Sequence, residues 1–244
     1  MFKFRRSKQR HSDADIIGKW GRTPDPFYTQ VFNESLALEG LPEGGRAIRF
    51  WQFIQLFKAT QHLPGEIAEA GCLYGLSALL MSAYEKQRDP NWQGETLHLF
   101  DSFRGFDKYH PHDLGANGSK NKYIKDLSTE EAFQDAPSFL HQTQKNLAKY
   151  PKINFWEGWI PEVFENQPKR QYRFVHLDLD LYEPTYASLS YFYPLLAVGG
   201  YIVLDDFGFV DWPGVSKATT DFCSQHNCSV VPLFTGNAYI HKIA

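Results

Sequence analysis

The sequence predicts a doubly wound α/β domain. Short apolar segments recur between longer segments of helical period, Gly or Pro punctuates many of the junctions, and 244 residues suffice for one large domain or two small ones at ~150 residues each. Strands that alternate with helices imply right-handed crossovers and a mostly parallel sheet covered on both faces. Residues 1–12 read as a loose basic tail, and residues 13–45 as helical pieces and loops. Residues 47–57 carry apolar side chains at helical spacing and stop shortly before Pro64-Gly65. A helical cap over residues 1–64 is therefore expected to precede a main domain at 65–244.

Residues 66–70 form the first expected strand, a glycine loop covers 71–75, and a helix follows from Leu76. A second strand spans 96–101. The polar stretch from about 104 to 129 is too long for an ordinary connection and is read as an inserted lid. A helix to about Tyr150 leads to a strand at 153–157, then to another at 174–178. Pro184 sits in the first turn of the next helix, which runs to Leu196. Gly199-Gly200 turns the chain into a strand at 201–204. A helix over 215–226 and two strands, 229–234 and 238–241, complete the chain. Pro232 fits only an edge or a bulge. No internal repeat is visible.

Composition narrows the function. Hydrophobic residues at 43% and charged residues at 22% describe a folded globular chain, which excludes a disordered or fibrous one. The 25 Lys plus Arg against 28 Asp plus Glu lack the electrostatic footprint of a nucleic-acid binder. No apolar run reaches the ~18–20 residues of a membrane span, and the basic start is not followed by a signal core, so a cytoplasmic protein is expected. The three cysteines, Cys72, Cys223 and Cys228, have neither a disulfide frame nor zinc spacing. Cys72 reads as packing. Most of the aromatic side chains, 16% of the chain, should be core.

In such sheets ligands bind beyond the carboxyl ends of the strands, and those ends are acidic here. They are Glu69-Ala70-Gly71, Asp101-Ser102, Glu157-Gly158-Trp159, Asp178-Leu179-Asp180 and Asp205-Asp206. Glycines after the first strand permit close approach of a ligand, the following helix offers its amide end, and Asp101 is placed to take two ribose hydroxyls. The spacing Gly71-x-x-x-Gly75, without G-x-G-x-x-G or a phosphate-binding Lys, suits a nucleoside with an amino-acid tail better than a pyrophosphate. S-adenosylmethionine fits that description. Local capping and pairing is the alternative for Glu69 or Asp101 taken singly. Asp178 and Asp180, two apart in extended chain, should point to one side of the sheet, and Asp205 and Asp206 would end beside them if the two strands are neighbours. Carboxylates so crowded repel unless a cation sits among them, and oxygen-only donors favour Mg²⁺ or another hard divalent ion. His110 and His112 in the lid are more often exposed than catalytic. Trp159, Tyr182 and Phe207 are placed to stack on a ligand or to pack, and His176 reads as a satisfied core histidine.

The strings Glu69-Ala70-Gly71-Cys72-Leu73-Tyr74-Gly75, Phe100-Asp101-Ser102-Phe103-Arg104-Gly105-Phe106, His176-Leu177-Asp178-Leu179-Asp180-Leu181-Tyr182-Glu183-Pro184-Thr185 and Gly199-Gly200-Tyr201-Ile202-Val203-Leu204-Asp205-Asp206-Phe207 resemble the macrocin O-methyltransferase family. The similarity runs in order from about Gly65 onward. It departs at Leu179, where the family commonly has Gly. The resemblance implies a seven-stranded Rossmann-like sheet of the class I methyltransferase type, S-adenosylmethionine and Mg²⁺ as cofactors, and O-methylation of a sugar or glycoside. It implies metal ligation by Asp178, Asp205 and Asp206, a base at Asp180, and cofactor contacts from Glu69, Gly71, Gly75, Ser77, Asp101, Ser102, Glu157, Gly158 and Trp159. A homodimer through the N-terminal helices is a further implication. Rival readings are a catechol-type methyltransferase, a metal-dependent hydrolase, a nicotinamide-dependent oxidoreductase and a non-catalytic adenosylmethionine binder. Acceptor identity, phosphate or ester release, and NADH binding separate them.

Overall fold

A computed structural model of the chain describes residues 25–39, 46–106, 110–115 and 139–244. Most of the expected lid and the basic tail lie outside the described residues. Two helices, α1 (Pro26–Glu39) and α2 (Arg46–Ala59), precede β1 (Glu66–Ala70). Then come α3 (Leu76–Arg88), β2 (Leu97–Asp101), a 3₁₀ turn at Pro111–Asp113, α4 (Phe139–Asn146), β3 (Asn154–Glu157), a second 3₁₀ turn at Glu162–Phe164 and β4 (Tyr172–Leu177). The chain continues through α5 (Tyr182–Leu195), β5 (Leu196–Leu204), α6 (Pro213–His226), β6 (Val230–Pro232) and β7 (Ala238–His241).

The seven strands order as β3-β2-β1-β4-β5-β7-β6. The first five are mutually parallel, and β7 enters antiparallel between β5 and β6. Strand order reverses between β1 and β4, so the crevice outside their carboxyl ends is where a ligand belongs. The period of two along each strand divides the interior. Ile67, Leu99, Phe174 and Val203 face one cluster, which α1, α2 and α3 complete with Tyr28, Phe53, Phe57 and Leu80. Ala68, Phe100, Val175 and Leu204 face the other, where Phe192 and Phe222 come from α5 and α6. The cap helices therefore share one core with the sheet. Pro232 lies on the outermost strand, where its missing N–H breaks no ladder. Among the described residues no helix is long and apolar enough to cross a membrane.

One expectation changes. Gly199-Gly200 does not end a turn before β5; the strand already starts at Leu196 and bulges through the pair. Tyr172 faces Leu196 while Phe174 faces Tyr201, so residues 197–200 have only Arg173 opposite them. A Cβ at Gly200 would lie 2.8 Å from the Arg173 carbonyl oxygen, which explains the glycine.

Candidate active site at the carboxyl ends of the sheet

At the end of β1, Gly71 has φ +79, and a Cβ there would stand 1.9 Å from the Asp178 carbonyl oxygen. Its glycine is thus demanded by the neighbouring strand end rather than by a ligand's approach. Asp178 N–H in turn donates to the Ala70 carbonyl at 2.9 Å, which sews β1 to β4 at this point. Gly75, at φ +88, is the N-cap of α3. The loop between the two glycines is held from both sides. Asp101 Oδ2 accepts the Cys72 and Leu73 N–H groups at 2.7 and 3.1 Å, and its Oδ1 accepts Phe103 N–H at 2.7 Å. From α4, Thr143 Oγ1 donates to the Leu73 carbonyl at 2.5 Å and Asn146 Nδ2 to that of Tyr74 at 2.9 Å. Thr143 and Asn146 carry no motif, and sequence reading passed over them. Cys72 is buried, and burial holds its thiol protonated.

The other residues expected to contact a cofactor divide. Ser77, in the first turn of α3, donates its hydroxyl to Glu69 Oε1 inside the protein. Glu69 is fully buried and also meets His176 Nδ1 at 2.8 Å, because β1 and β4 pair Glu69 directly with His176. Ser102 accepts Arg104 N–H and donates to the Gly105 carbonyl, shaping the turn after β2. Gly158 N–H donates to the Asp101 carbonyl at 3.0 Å, Glu157 lies 3.6 Å from Arg104, and Trp159 is exposed. A cavity of about 90 Å³ opens beside the glycine loop, lined among others by Leu73, Ser77, Asp178 and two arginines of α2, Arg46 and Arg49.

The second region is the acidic one. Asp178, Asp205 and Asp206 bring one oxygen each within 4.8 Å of one another. Strand alternation does not bring Asp180 to Asp178, since β4 ends at Leu177. Instead the chain makes a tight turn in which Leu181 N–H donates to the Leu179 carbonyl at 2.6 Å and Asp180 takes φ +60. That conformation, costly outside glycine, turns Asp180 toward Asp206, with which it shares a hydrogen bond. The adjacent α5 begins at Tyr182, whose N–H is capped by Asp113 Oδ1 at 2.7 Å across 69 residues. His110 stacks on the Tyr182 ring at 4.5 Å, and His112 lies 4.8 Å from it. His110 and His112 therefore join an aromatic group at the α5 N-terminus.

Burial and the neighbouring carboxylates Asp205 and Asp206 push Asp178 well above the usual carboxylate range. Burial, then Asp205 and Asp180, lift Asp206 to about 10, and burial lifts Asp180 to about 7. Asp205 goes the other way. Burial would raise it, yet Arg49 and His176 outweigh that and hold it low. The Arg49 guanidinium is 2.8 Å from Asp205 Oδ2 and 3.6 Å from Asp206 Oδ1. Asn237 Nδ2 donates to Asp205 Oδ1 at 2.9 Å, and His176 Nε2 lies 3.9 Å from the same oxygen. Burial alone would discharge His176; Asp205 and Glu69 overcome it and hold the imidazolium up to about 10. His176 is thus the middle of a buried chain from Ser77 through Glu69 to Asp205. Neither that chain nor Arg49 was evident from sequence, because each arises from strand register or helix docking.

Oxygen donors alone, converging and mutually repelling, fit a hard divalent cation, whose charge would relieve the repulsion. The cavity beside them, with a helix N-terminus and two cationic side chains, fits a ligand with an anionic end. A mostly parallel sheet in the order found here, with its open crevice at the β1 and β4 ends, is the fold of class I methyltransferases. The macrocin-O-methyltransferase (TylF) family model matches residues 49–234, and the chain belongs to that family. The mycinamicin III 3''-O-methyltransferase of Micromonospora griseorubida is 26% identical over 173 residues, 68% of this chain and 63% of that protein. The demethyldecarbamoylnovobiocin O-methyltransferase of Streptomyces niveus is 25% identical over 150 residues, 60% of this chain and 54% of that one. The chain thus spans somewhat over half the length of these curated relatives. The calicheamicin methyltransferase CalS11 shares the fold at a TM-score of 0.65 and 20% identity, with 96% of this chain and 93% of that chain covered.

Proposed function

We propose that the chain is an S-adenosylmethionine-dependent O-methyltransferase that needs a divalent cation, Mg²⁺ by donor chemistry, and acts on a hydroxyl of a sugar or glycoside. One observation carries the reading: carboxylates from two adjacent strand ends converge within 4.8 Å beside the cavity at the glycine loop. The two curated relatives named above, a mycinamicin and a novobiocin-type O-methyltransferase, support the acceptor class. When bound, the donor supplies an activated methyl group, and the cation lowers the pKa of a hydroxyl it contacts.

The chain's own residues do the rest. Asp178, Asp205 and Asp206 would hold the cation, with Asn237 and His176 fixing Asp205 from two sides. Asp180, turned inward on its strained backbone, accepts the hydroxyl proton. Gly71, Gly75, Ser77 and the backbone ordered by Asp101 line the donor side, and the Trp159 ring and the aliphatic Leu73 side chain, both exposed, offer an apolar surface to the donor's adenine. Ser102, Glu157 and Gly158 complete the rim. The protein works as a cytoplasmic homodimer in this reading, and light scattering of the purified chain checks its mass.

The test is methyl transfer from labelled donor to a panel of glycosides. Asp205→Asn with Asp206→Asn should abolish turnover while S-adenosylhomocysteine still binds. Full activity in EDTA would remove the cation from the mechanism.

A further inference from the structure

Arg49 stands where three parts of the molecule meet. Its guanidinium bridges Asp205 and Asp206 at the cation site. The same side chain lines the cavity at the glycine loop, together with Ser77 and Asp178. It also lies 5.5 Å from the ring centroids of Phe50 and of Phe209, the latter on the loop that follows the paired aspartates. Only 15% of the side chain is accessible, so the charge is held away from bulk water and must keep an anionic partner. A divalent cation on Asp205 and Asp206 would face a guanidinium already on those oxygens. Two cations so close repel strongly in a buried setting. The guanidinium then needs another anion, and the cavity it already lines would receive one: the carboxylate on the donor's amino-acid tail, matched by the planar fork of an arginine.

We propose that Arg49 is a shared binding residue, which neutralises the cation ligands while the site is empty and turns to the donor's carboxylate as the site fills, so that donor and divalent cation bind cooperatively. This rests on the donor and cation reading above. The coupling is reciprocal: whatever factor the donor adds to cation affinity, the cation adds to donor affinity. The guanidinium lowers cation affinity in the free protein by occupying part of the site, as any competing state does.

Calorimetry with MgCl₂ and S-adenosylhomocysteine, singly and together, tests this on the full chain. In the wild type each ligand should tighten the other by the same factor, at least about fivefold. Arg49→Gln should bind Mg²⁺ alone about fivefold or more tighter than the wild type, bind S-adenosylhomocysteine more weakly, and show a coupling factor near one. Arg49→Lys, which keeps the charge and loses the fork, should retain less than half of the wild-type coupling free energy. It decides the matter if Arg49→Gln does not melt cooperatively: coupling intact in the lysine variant overturns the proposal. Unchanged Mg²⁺ affinity and coupling in Arg49→Gln, or loss of Mg²⁺ binding in that variant, also overturns it and leaves the assigned function standing. A wild type that binds neither Mg²⁺ nor S-adenosylhomocysteine overturns both.

Discussion

The ends of β1 and β2 and the ends of β4 and β5 are both acidic in sequence and opposite in electrostatics. At the first pair the carboxylates are answered by the protein. Asp101 receives three backbone N–H groups, and Glu69 receives a serine hydroxyl and an imidazolium. At the second pair, carboxylates face carboxylates. Asp178 and Asp206 are pushed upward by burial and by the carboxylates around them, while Arg49 and His176 hold Asp205 low. A carboxylate ringed by donors builds the loop around it. A set of carboxylates short of donors is a site waiting for positive charge.

That contrast can be broken most severely at the crowded end. If Asp206 holds a cation as proposed, Asp206→Asn should lower methyl transfer by about 10³-fold or more, while the thermal midpoint stays level or rises as repulsion is relieved. A midpoint that falls by many degrees would mean Asp206 is structural, like Asp101. The seam between the two regions comes next. Gly71→Ala places a methyl group against the Asp178 carbonyl and forces a left-handed residue, so at least about 3 kcal/mol of stability should be lost in urea denaturation. Cation binding should weaken with it. At the satisfied end, Asp101→Ala should cost about 2 kcal/mol by orphaning loop amides, with Asp101→Asn milder because one carbonyl oxygen remains. A stability unchanged in Asp101→Ala, with donor binding lost, would move Asp101 from scaffold to ligand contact.

The smallest effect sharpens the same comparison through pH. His98, buried on β2 with Nδ1 accepting the Trp156 indole N–H at 3.1 Å, is held down to about 4 by burial and by Arg170. Unfolded, it titrates near 6.5. The unfolded chain therefore binds the extra proton between these values, and stability that is complete above pH 6.5 is lost as pH falls toward 4. Over that window the wild type should lose about 2 kcal/mol more than His98→Gln, measured as the difference in denaturation free energy at pH 7 and pH 4.

What could be read in the sequence was whatever a local pattern encodes. Period-two apolar segments located the parallel strands, Pro232 marked an edge, and the aspartates after Leu177 and Leu204 came together because their strands are neighbours. Strand alternation does not account for Asp180, because the strand stops short of it and a strained turn supplies the orientation. What stayed hidden depends on register or on packing between distant elements. Nothing near Arg49 says that α2 docks its charge 156 residues away on Asp205. The Glu69 and His176 pair exists because β1 and β4 align at that residue, and Asp113 caps α5 because a short turn happens to lie over its first amide. Gly214 follows from the latter contact, since a Cβ there would meet Asp113 Oδ1 at 1.8 Å.

The shared interior of cap and sheet has a bearing on engineering. Phe53 of α2 packs its ring 5.4 Å from Phe174 and 4.6 Å from His176, so the floor of the polar relay is an aromatic side chain contributed by the segment ahead of the sheet. A graft that exchanged α1 and α2 for those of a relative, in search of a new acceptor, would also replace the packing beneath the imidazolium and the arginine above it. Retargeting this scaffold by swapping its leading helices would have to carry the matching residues of β4 along.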